Sequence, residues 1–298
     1  MHRELAAVVH ELKRLRRQGV DAIPISEETL AQLRKRFPIR PRTELSGAGG
    51  APPPVAASSG LPATTAKPRP SIAKAKPPEP QTPPPPVVTL AGDDKKPQWE
   101  SLKEQVLSDA FCRSQLKPGK NLVFGVGSLD ADIFFCGEAP GAEEEEQSEP
   151  FVGPAGKLLT KIIQAMGLSR EKVYIGNIMN FRPPLPSAVG NRPPTPEEMA
   201  YCLPYLKAQL AIIKPKVVVA LGKTAVDGLL GPDPKRRMGQ IRGQWQSFEE
   251  TPLMATYHPS YLLRNESMKA KRMVWEDMLL VMEKVGLPIS EKQQGYFK

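Results

Sequence analysis

The chain has 298 residues, with 41 basic and 32 acidic side chains and a formal net charge of +9. That length allows one or two domains with substantial cores. Its three cysteines are too few for a disulfide scaffold, and no run approaches the ~20 apolar residues that a membrane-spanning helix needs. The N-terminus lacks the apolar core of a signal peptide. We therefore expect a protein of a reducing compartment, the bacterial cytoplasm near the nucleoid.

Residues 1–45 are predicted to form a small helical module. Leucine and valine recur at helical spacing before Gly19, and Ser26 can cap a second helix that runs to about Arg36. Two short helices are too small to carry a catalytic site. A docking module for a protein partner and an extension without a function of its own are both open.

Residues 46–98 are predicted to form a disordered linker. They hold 14 of the chain's 34 prolines, with a run of four at 83–86, and contain no aromatic residue. Such a composition buries too little apolar surface to offset the entropy lost on ordering. We expect a partly polyproline-extended segment.

The positive charge lies mainly outside the predicted third region, residues 99–298. That region has 25 basic and 23 acidic residues. Within that region, basic residues cluster at 235–237 with Arg242, and at 264–272. Such clusters can contact phosphates beside a site even where the net charge is small. A solvated surface explains them equally well.

Region 99–298 is predicted to be an α/β domain. Short apolar runs at 132–136, 173–175, 217–220 and 253–257 read as buried strands. Helical patterns alternate with them at about 99–111, 155–166, 196–213, 223–230 and 267–285. This alternation favours a three-layer sandwich in which a short central parallel sheet is flanked by helices.

Glycine-rich or polar strings follow the predicted strands. They are Gly137-Glu138-Ala139-Pro140-Gly141, Asn177, Gly222 and His258-Pro259-Ser260, with Pro150-Phe151-Val152-Gly153 between the first two. The carboxyl ends of parallel strands share one edge of a sheet, where ligands bind. Together the strings indicate a pocket for a planar base.

In this order, the strings resemble those of the uracil-DNA glycosylases, over about residues 99–290. Family 4 is the most similar branch, on Gly137 to Gly141, Phe151-Val152-Gly153, Arg182-Pro183-Pro184, the stretch 191–195 and the stretch 258–264. The resemblance implies a monomeric, monofunctional DNA repair enzyme that hydrolyses the N-glycosidic bond of uracil and leaves an abasic site. The alternative is a non-catalytic DNA-binding or scaffold protein that retains the fold.

Each step of base removal has a candidate residue. Phe151 can stack on the extruded base, and the Asn177 amide can pair with a carbonyl and the adjacent ring N–H of uracil. Cytosine would leave that amide mismatched. Gly137, Ala139, Pro140 and Gly141 complete the expected base-binding set.

His258 is expected to donate a hydrogen bond to the uracil oxygen that gains charge as the bond breaks. A carboxylate can orient the attacking water or stabilise the positive sugar. By resemblance Glu138 is the first candidate for this role and Glu144 the second. No metal ligation is expected, because no Cys/His cluster surrounds His258.

DNA contacts are expected beside the pocket. The glycines at 137, 141, 153 and 222 can bring backbone N–H groups close to phosphates. The remaining candidates are Asn191, Ser260, Tyr261, Leu262 and Arg264. By resemblance Leu262 lies in a loop that enters the minor groove; whether it is a wedge or a core residue stays open.

Family 4 also implies an iron–sulfur cluster held by four cysteines. Only Cys202 clearly matches a ligand position; Cys112 can align with another, but Gln115 and Phe181 occupy the remaining two. A [4Fe–4S] cluster needs four thiolates. We therefore expect no cofactor, with Phe181 and its neighbours filling the volume.

Overall fold

The computed structural model describes residues 82–90, 92–185 and 190–298. The predicted helical module at 1–45 and most of the predicted linker lie outside the described residues. The end of that linker is described, and Val88 and Leu90 pack against the core of the domain that follows. Residues before the boundary predicted near Trp99 therefore also pack against this domain.

Helices and strands alternate along most of the described chain. The helices are α1 Lys95–Ser108, α2 Ala110–Ser114, α3 Ala142–Gln147, α4 Pro154–Ala165, α5 Pro196–Ile213, α6 Lys223–Leu230, α7 Met238–Ile241, α8 Pro259–Arg264, α9 Met268–Val285 and α10 Glu291–Gln294, with a 3-10 helix at Arg170–Lys172. The strands are β1 Val126–Gly127, β2 Ile133–Gly137, β3 Tyr174–Asn177, β4 Val217–Leu221, β5 Trp245–Phe248 and β6 Thr251–Thr256.

The strands form one sheet in the order β1-β3-β2-β4-β6-β5. The four central strands are parallel, and β1 and β5 pair antiparallel at the two edges. The chain passes from β2 to β3 on one side and then crosses to β4 on the other. A crevice therefore forms at the carboxyl ends of these strands, at the point where the winding reverses.

Alternate residues of each central strand face opposite layers. Phe134 and Val218 join a cluster with residues of α1, α2, α5 and α6. Ile133 and Val219 join a second cluster, with residues of α4 and α9. Both sheet faces are thus covered by helices, which explains why these strands read as continuous apolar runs. The predicted three-layer α/β sandwich is confirmed.

The sequence prediction missed β1 and β5. β1 has only two residues, and in β5 Trp245 and Ser247 are exposed, so neither strand carries a continuous apolar run. The prediction for the first helix was also displaced: α1 begins at Lys95, and α2 follows it separately. Within the described ranges, no helix is both long and apolar enough to cross a membrane.

Candidate active site

A cleft of about 800 Å³ opens at the carboxyl ends of the central strands. Nearly all the predicted site residues line it: Glu138, Ala139, Pro140, Gly141, Glu144, Phe151, Asn177, Asn191, Gly222, His258, Ser260, Tyr261 and Arg264. Gly137 lies behind the cleft wall at the end of β2, and Leu262 does not reach the cleft. Residues up to 126 positions apart in sequence are thereby brought to one site, because parallel strands end at one edge.

The floor of the cleft is formed by Phe151 and Asn177, which are 6% and 7% exposed. The Asn177 Oδ1 atom is buried and has no hydrogen-bond partner. A buried acceptor without a donor is costly unless a ligand supplies one. Gly137 is required beneath them, since a Cβ atom there would clash with Asn177 Oδ1 and the Phe151 ring. The floor is thus shaped for a flat ligand that carries an N–H group.

His258 lies at the N-terminus of α8, with its ring centroid 5.7 Å from that of Phe151. Its Nδ1 atom accepts the backbone N–H of Ser260 at 3.2 Å and lies 2.8 Å from the Ser260 hydroxyl. Burial, assisted by the charge of Arg264, lowers the pKa of His258 to about 4. The neutral ring therefore carries its proton on Nε2, which is free to donate to a ligand.

The two candidate carboxylates have different surroundings. Glu138 is half-buried beside the floor, and burial raises its pKa while a hydrogen bond with Thr224 opposes the shift. Glu144 instead accepts backbone N–H groups from Gly141, Val152 and Gly153, at 3.1, 3.1 and 2.9 Å. Both of its oxygens are engaged with the backbone, so Glu138 is the better placed of the two to act on water.

The glycines do not offer the free N–H groups that the sequence suggested. The N–H groups of Gly141 and Gly153 bond to Glu144, and that of Gly222 donates to Thr256 O at 2.8 Å. Gly222 has a φ of +91°, and a Cβ there would lie 2.9 Å from His258 Cβ. A glycine is needed here because the chain passes close to His258. Its N–H group is already bonded and is not available to bind a phosphate.

Leu262 is one of the candidate DNA contacts, for which a wedge and a core residue were both open. Its side chain is 5% exposed and packs with Ala270 and Val274, whereas the next residue, Leu263, is 43% exposed. Since Leu262 lies on the inner face of α8, it is a core residue in this structure. Leu263 is the leucine that this helix presents to solvent.

Two arginines of the basic cluster at 235–242, for which phosphate contact and a solvated surface were both open, are engaged in ion pairs. Arg236 bonds to Asp227, and Arg242 bonds to Asp277, which is fully buried. Both arginines stabilise the fold. Arg264 remains exposed at the cleft.

Tyr257 and Arg182 line the cleft, and Thr224 bonds to the cleft residue Glu138, but none of the three was singled out from the sequence. Tyr257 stacks on Tyr261 with ring centroids 4.3 Å apart, and Tyr261 OH accepts from Asn265 Nδ2 at 2.9 Å. Arg182 joins the opposite wall, where it donates to Asn191 and to Glu145, each at 2.9 Å. Thr224 supplies the hydrogen bond to Glu138. Only Arg182 had a signal, its place in an Arg-Pro-Pro string.

The face between α2 and α5 holds the positions of the expected cluster. Phe181 is fully buried there, 6.0 Å from the Phe111 ring. A hydrogen bond with the Cys202 thiol, and then burial, raise the pKa of Cys112 far above its ordinary value. Among the described residues, no group of three or more His, Cys, Asp or Glu side chains could hold a metal ion. Two thiols and a phenylalanine do not supply the four thiolates that such a cluster needs.

Asp109 joins the two helices on this face. Its Oδ1 accepts the Cys112 N–H at 2.6 Å, and its Oδ2 accepts the hydroxyls of Tyr201 and Tyr205, both at 2.8 Å. Phe111 packs against Tyr201 with ring centroids 4.4 Å apart. A carboxylate and aromatic rings thus connect α2 to α5.

A known protein family matches the part of the chain that forms the cleft. The model of the Uracil DNA glycosylase superfamily matches residues 124–279, which include the strings at the ends of all four central strands. The chain therefore belongs to the uracil-DNA glycosylase superfamily.

Relatives place it more narrowly. The chain is 44% identical over 186 residues to a type-4 uracil-DNA glycosylase of Thermotoga maritima, covering 60% of this chain and 90% of the relative. It is 36% identical over 206 residues to the type-4 enzyme of Archaeoglobus fulgidus, covering 66% and 98%. A type-5 enzyme of Pyrobaculum aerophilum is 29% identical over 151 residues, covering 46% and 64%. Within the superfamily the chain groups with the type-4 enzymes.

Proposed function

We propose that this protein removes uracil from DNA by hydrolysing the N-glycosidic bond, leaving an abasic site for base excision repair. The observation that carries the proposal is the buried Asn177 Oδ1 atom, which lacks a donor on the floor of the cleft. The N3–H group of uracil would supply that donor. The type-4 relatives described above support the same reaction.

Recognition rests on both groups of the Asn177 amide. With Oδ1 accepting from uracil N3–H, Nδ2 can donate to the adjacent carbonyl O4. Cytosine carries an acceptor at N3 and an amino group at position 4, so both contacts would become mismatched in a buried site. Phe151 covers one face of the ring, which requires the nucleotide to be extruded from the DNA stack.

His258 stabilises the leaving group. As the bond between C1′ and N1 breaks, its electron pair moves onto the uracil ring and its carbonyl oxygens. The neutral His258 ring donates Nε2–H to O2 and stabilises that charge without giving up its proton. A preorganised donor of this kind contributes roughly 10²–10³-fold to a rate.

Glu138 acts on the other partner of the reaction. Its carboxylate orients a water molecule, whose oxygen forms the new bond to C1′, and the water proton leaves to the carboxylate or to solvent. The same negative charge stabilises the cationic sugar that forms as uracil departs. Only the ionised form of Glu138 can do this.

We also propose that the reaction proceeds without an iron–sulfur cluster. The supporting observation is that Phe181 packs against Phe111. The family 4 resemblance implies a cysteine at the position of Phe181. Asp109 and its two tyrosine partners hold α2 and α5 together in the same place. No catalytic residue proposed above depends on a metal.

Incubation of the full chain with single- and double-stranded oligonucleotides that contain one uracil tests the function. Alkali treatment should then cut the strand at the uracil position, and an oligonucleotide with cytosine there should stay intact. The non-catalytic alternative predicts binding to uracil DNA without alkali-sensitive product. Folded protein that makes neither uracil substrate alkali-sensitive would contradict the proposal.

A further inference from the structure

The turn that presents Phe151 is held in an unfavourable backbone conformation. Phe151 has a φ of +58°, in the left-handed region that a phenylalanine rarely adopts. Its carbonyl also lies so close to Gly156 that a Cβ atom on that residue would overlap it. The surrounding structure must therefore fix this turn if the ring is to face the base.

Two side chains of opposite charge bind the backbone on either side of Phe151. Glu144 accepts the N–H groups that follow it, those of Val152 and Gly153, at 3.1 and 2.9 Å. Arg170, in the 3-10 helix, donates to the carbonyls of Phe151 and Pro150 at 3.0 and 2.8 Å. Every one of these contacts is charge-assisted, which makes it stronger than a neutral hydrogen bond.

Arg170 does not line the cleft. Its remaining contacts are to Glu149, at 3.0 Å, and to Thr160 Oγ1, at 3.4 Å. It therefore cannot touch the base or the reacting atoms. Its effect on the site has to pass through the Phe151 turn.

We propose that Arg170 is a positioning residue for uracil excision, which fixes the Phe151 ring against the base from outside the cleft. This inference rests on the proposed function. Loss of the guanidinium releases the carbonyls of Pro150 and Phe151, so the turn relaxes toward an ordinary φ and the ring leaves its position over the base. Base binding weakens, while His258 and Glu138 keep their places.

The test compares Arg170→Met with Arg272→Met, a matched control. Arg272 pairs with Glu276 at 2.9 Å with side-chain exposures of 20% and 48%, against 18% and 46% for Arg170 and Glu149. It also donates to two carbonyls, those of Gln294 and Tyr296, both at 2.9 Å. Arg272 lies on α9 and does not line the cleft. Although it ends the basic stretch 264–272, its guanidinium is engaged with Glu276 and these two carbonyls and not with the cleft, so it reports the stability cost of losing such an arginine.

Uracil release is measured under single-turnover conditions over a range of enzyme concentrations and pH. For Arg170→Met we expect the half-saturating concentration to rise about tenfold, within the range that a small misplacement produces. The saturated rate and the pH profile should change little, and guanidinium ions should partly restore binding. Arg272→Met should match the wild type in all these respects, with a similar loss of melting temperature.

An oligonucleotide with an uncleavable 2′-fluorinated uracil nucleotide gives the same comparison by binding alone. A wild type that does not release uracil would overturn the proposed function, while this binding arm still decides the role of Arg170. Equal behaviour of the two methionine variants in both arms would overturn the inference. If Arg170→Met does not fold, Arg170→Lys, which keeps the charge but cannot span both carbonyls, takes its place.

Discussion

The floor of the cleft and the α2–α5 face are both buried, and both hold residues at positions that the family resemblance singles out. Their polar side chains differ in whether they have hydrogen-bond partners. In the cleft, Asn177 Oδ1 is buried without a partner. On the α2–α5 face, Asp109 accepts three hydrogen bonds, and Cys112 and Cys202 are buried free thiols. Polar groups that are hydrogen-bonded within the protein stabilise the fold, whereas a buried acceptor without a partner can accept a hydrogen bond from a ligand.

This difference predicts how substitutions divide. Changes in the cleft should lower the rate of uracil release with little effect on stability. Changes on the α2–α5 face should lower stability and leave the rate nearly unchanged. Substitutions in each region test this expectation.

Glu138→Gln should have the largest effect, a fall of about 10²–10⁴-fold in the single-turnover rate, because the carboxylate that orients water is lost. In the wild type the rate should fall as pH drops through the raised pKa of Glu138. His258 does not set this acid limb, since its pKa is about 4 and it stays neutral until that pH is reached. A pH profile of Glu138→Gln that keeps the same acid limb would refute the assignment.

His258→Ala should lower the saturated rate by about 10²–10³-fold, the contribution of one preorganised donor to a developing anion. Single-turnover release at saturating enzyme measures it. The matched control is Ser260→Ala, which removes the hydroxyl at Nδ1 but leaves the backbone N–H that fixes the tautomer, and should cost much less. Equal losses in both variants would contradict this mechanism.

Asn177→Ala should weaken uracil recognition by about 1–3 kcal/mol, or roughly 5- to 150-fold, the range for a lost buried hydrogen bond. Competition between uracil and cytosine oligonucleotides measures the loss. The melting temperature should not fall, because Oδ1 has no partner in the protein to lose. A variant that still excises uracil at the wild-type rate would remove the main support for the base-reading role.

Asp109→Ala should lower the free energy of unfolding by about 1–3 kcal/mol. The substitution leaves two tyrosine hydroxyls without their acceptor and removes the side chain that caps α2. Urea unfolding measures the change. Uracil release at a temperature where the variant is folded should stay within about threefold of the wild type, as expected for a site with no shared partners. A large rate loss in the folded variant would show that the two regions are coupled.

Deletion of residues 1–81 should have the smallest effect on catalysis. It removes the predicted helical module and most of the predicted linker but keeps Val88 and Leu90, which pack on the core. Release in dilute assays should persist, while association with long DNA should weaken and become less salt-dependent. A cut at residue 98 is less suitable, because it also removes Lys95, which donates to Leu129 O at 3.0 Å and to Ile213 O at 3.3 Å.

The sequence predicts the parts of this molecule that depend on local pattern. The four central strands are buried on both faces, so each gives a continuous apolar run, and the string after each run marks the site. The edge strands give no such run. Leu262 and Leu263 are adjacent, and only the orientation of α8 decides which is buried.

Contacts between distant segments are beyond the reach of such patterns. Glu144 lies in a run of four glutamates, and nothing in that run indicates that it binds the backbone around Phe151. Arg170 belongs to none of the strings that mark the site, and it lies 19 positions from Phe151, to whose carbonyl it donates. The structural roles of both residues depend on the folded loop.

We propose that this cleft excises uracil and needs no iron–sulfur cluster. The most direct measurement is the single-turnover rate of uracil release by full-length protein produced with and without iron, with the iron content of each preparation determined. We expect equal rates in the two preparations and iron far below one cluster per chain. A rate that rises in proportion to bound iron, or no release by folded protein, would contradict the account.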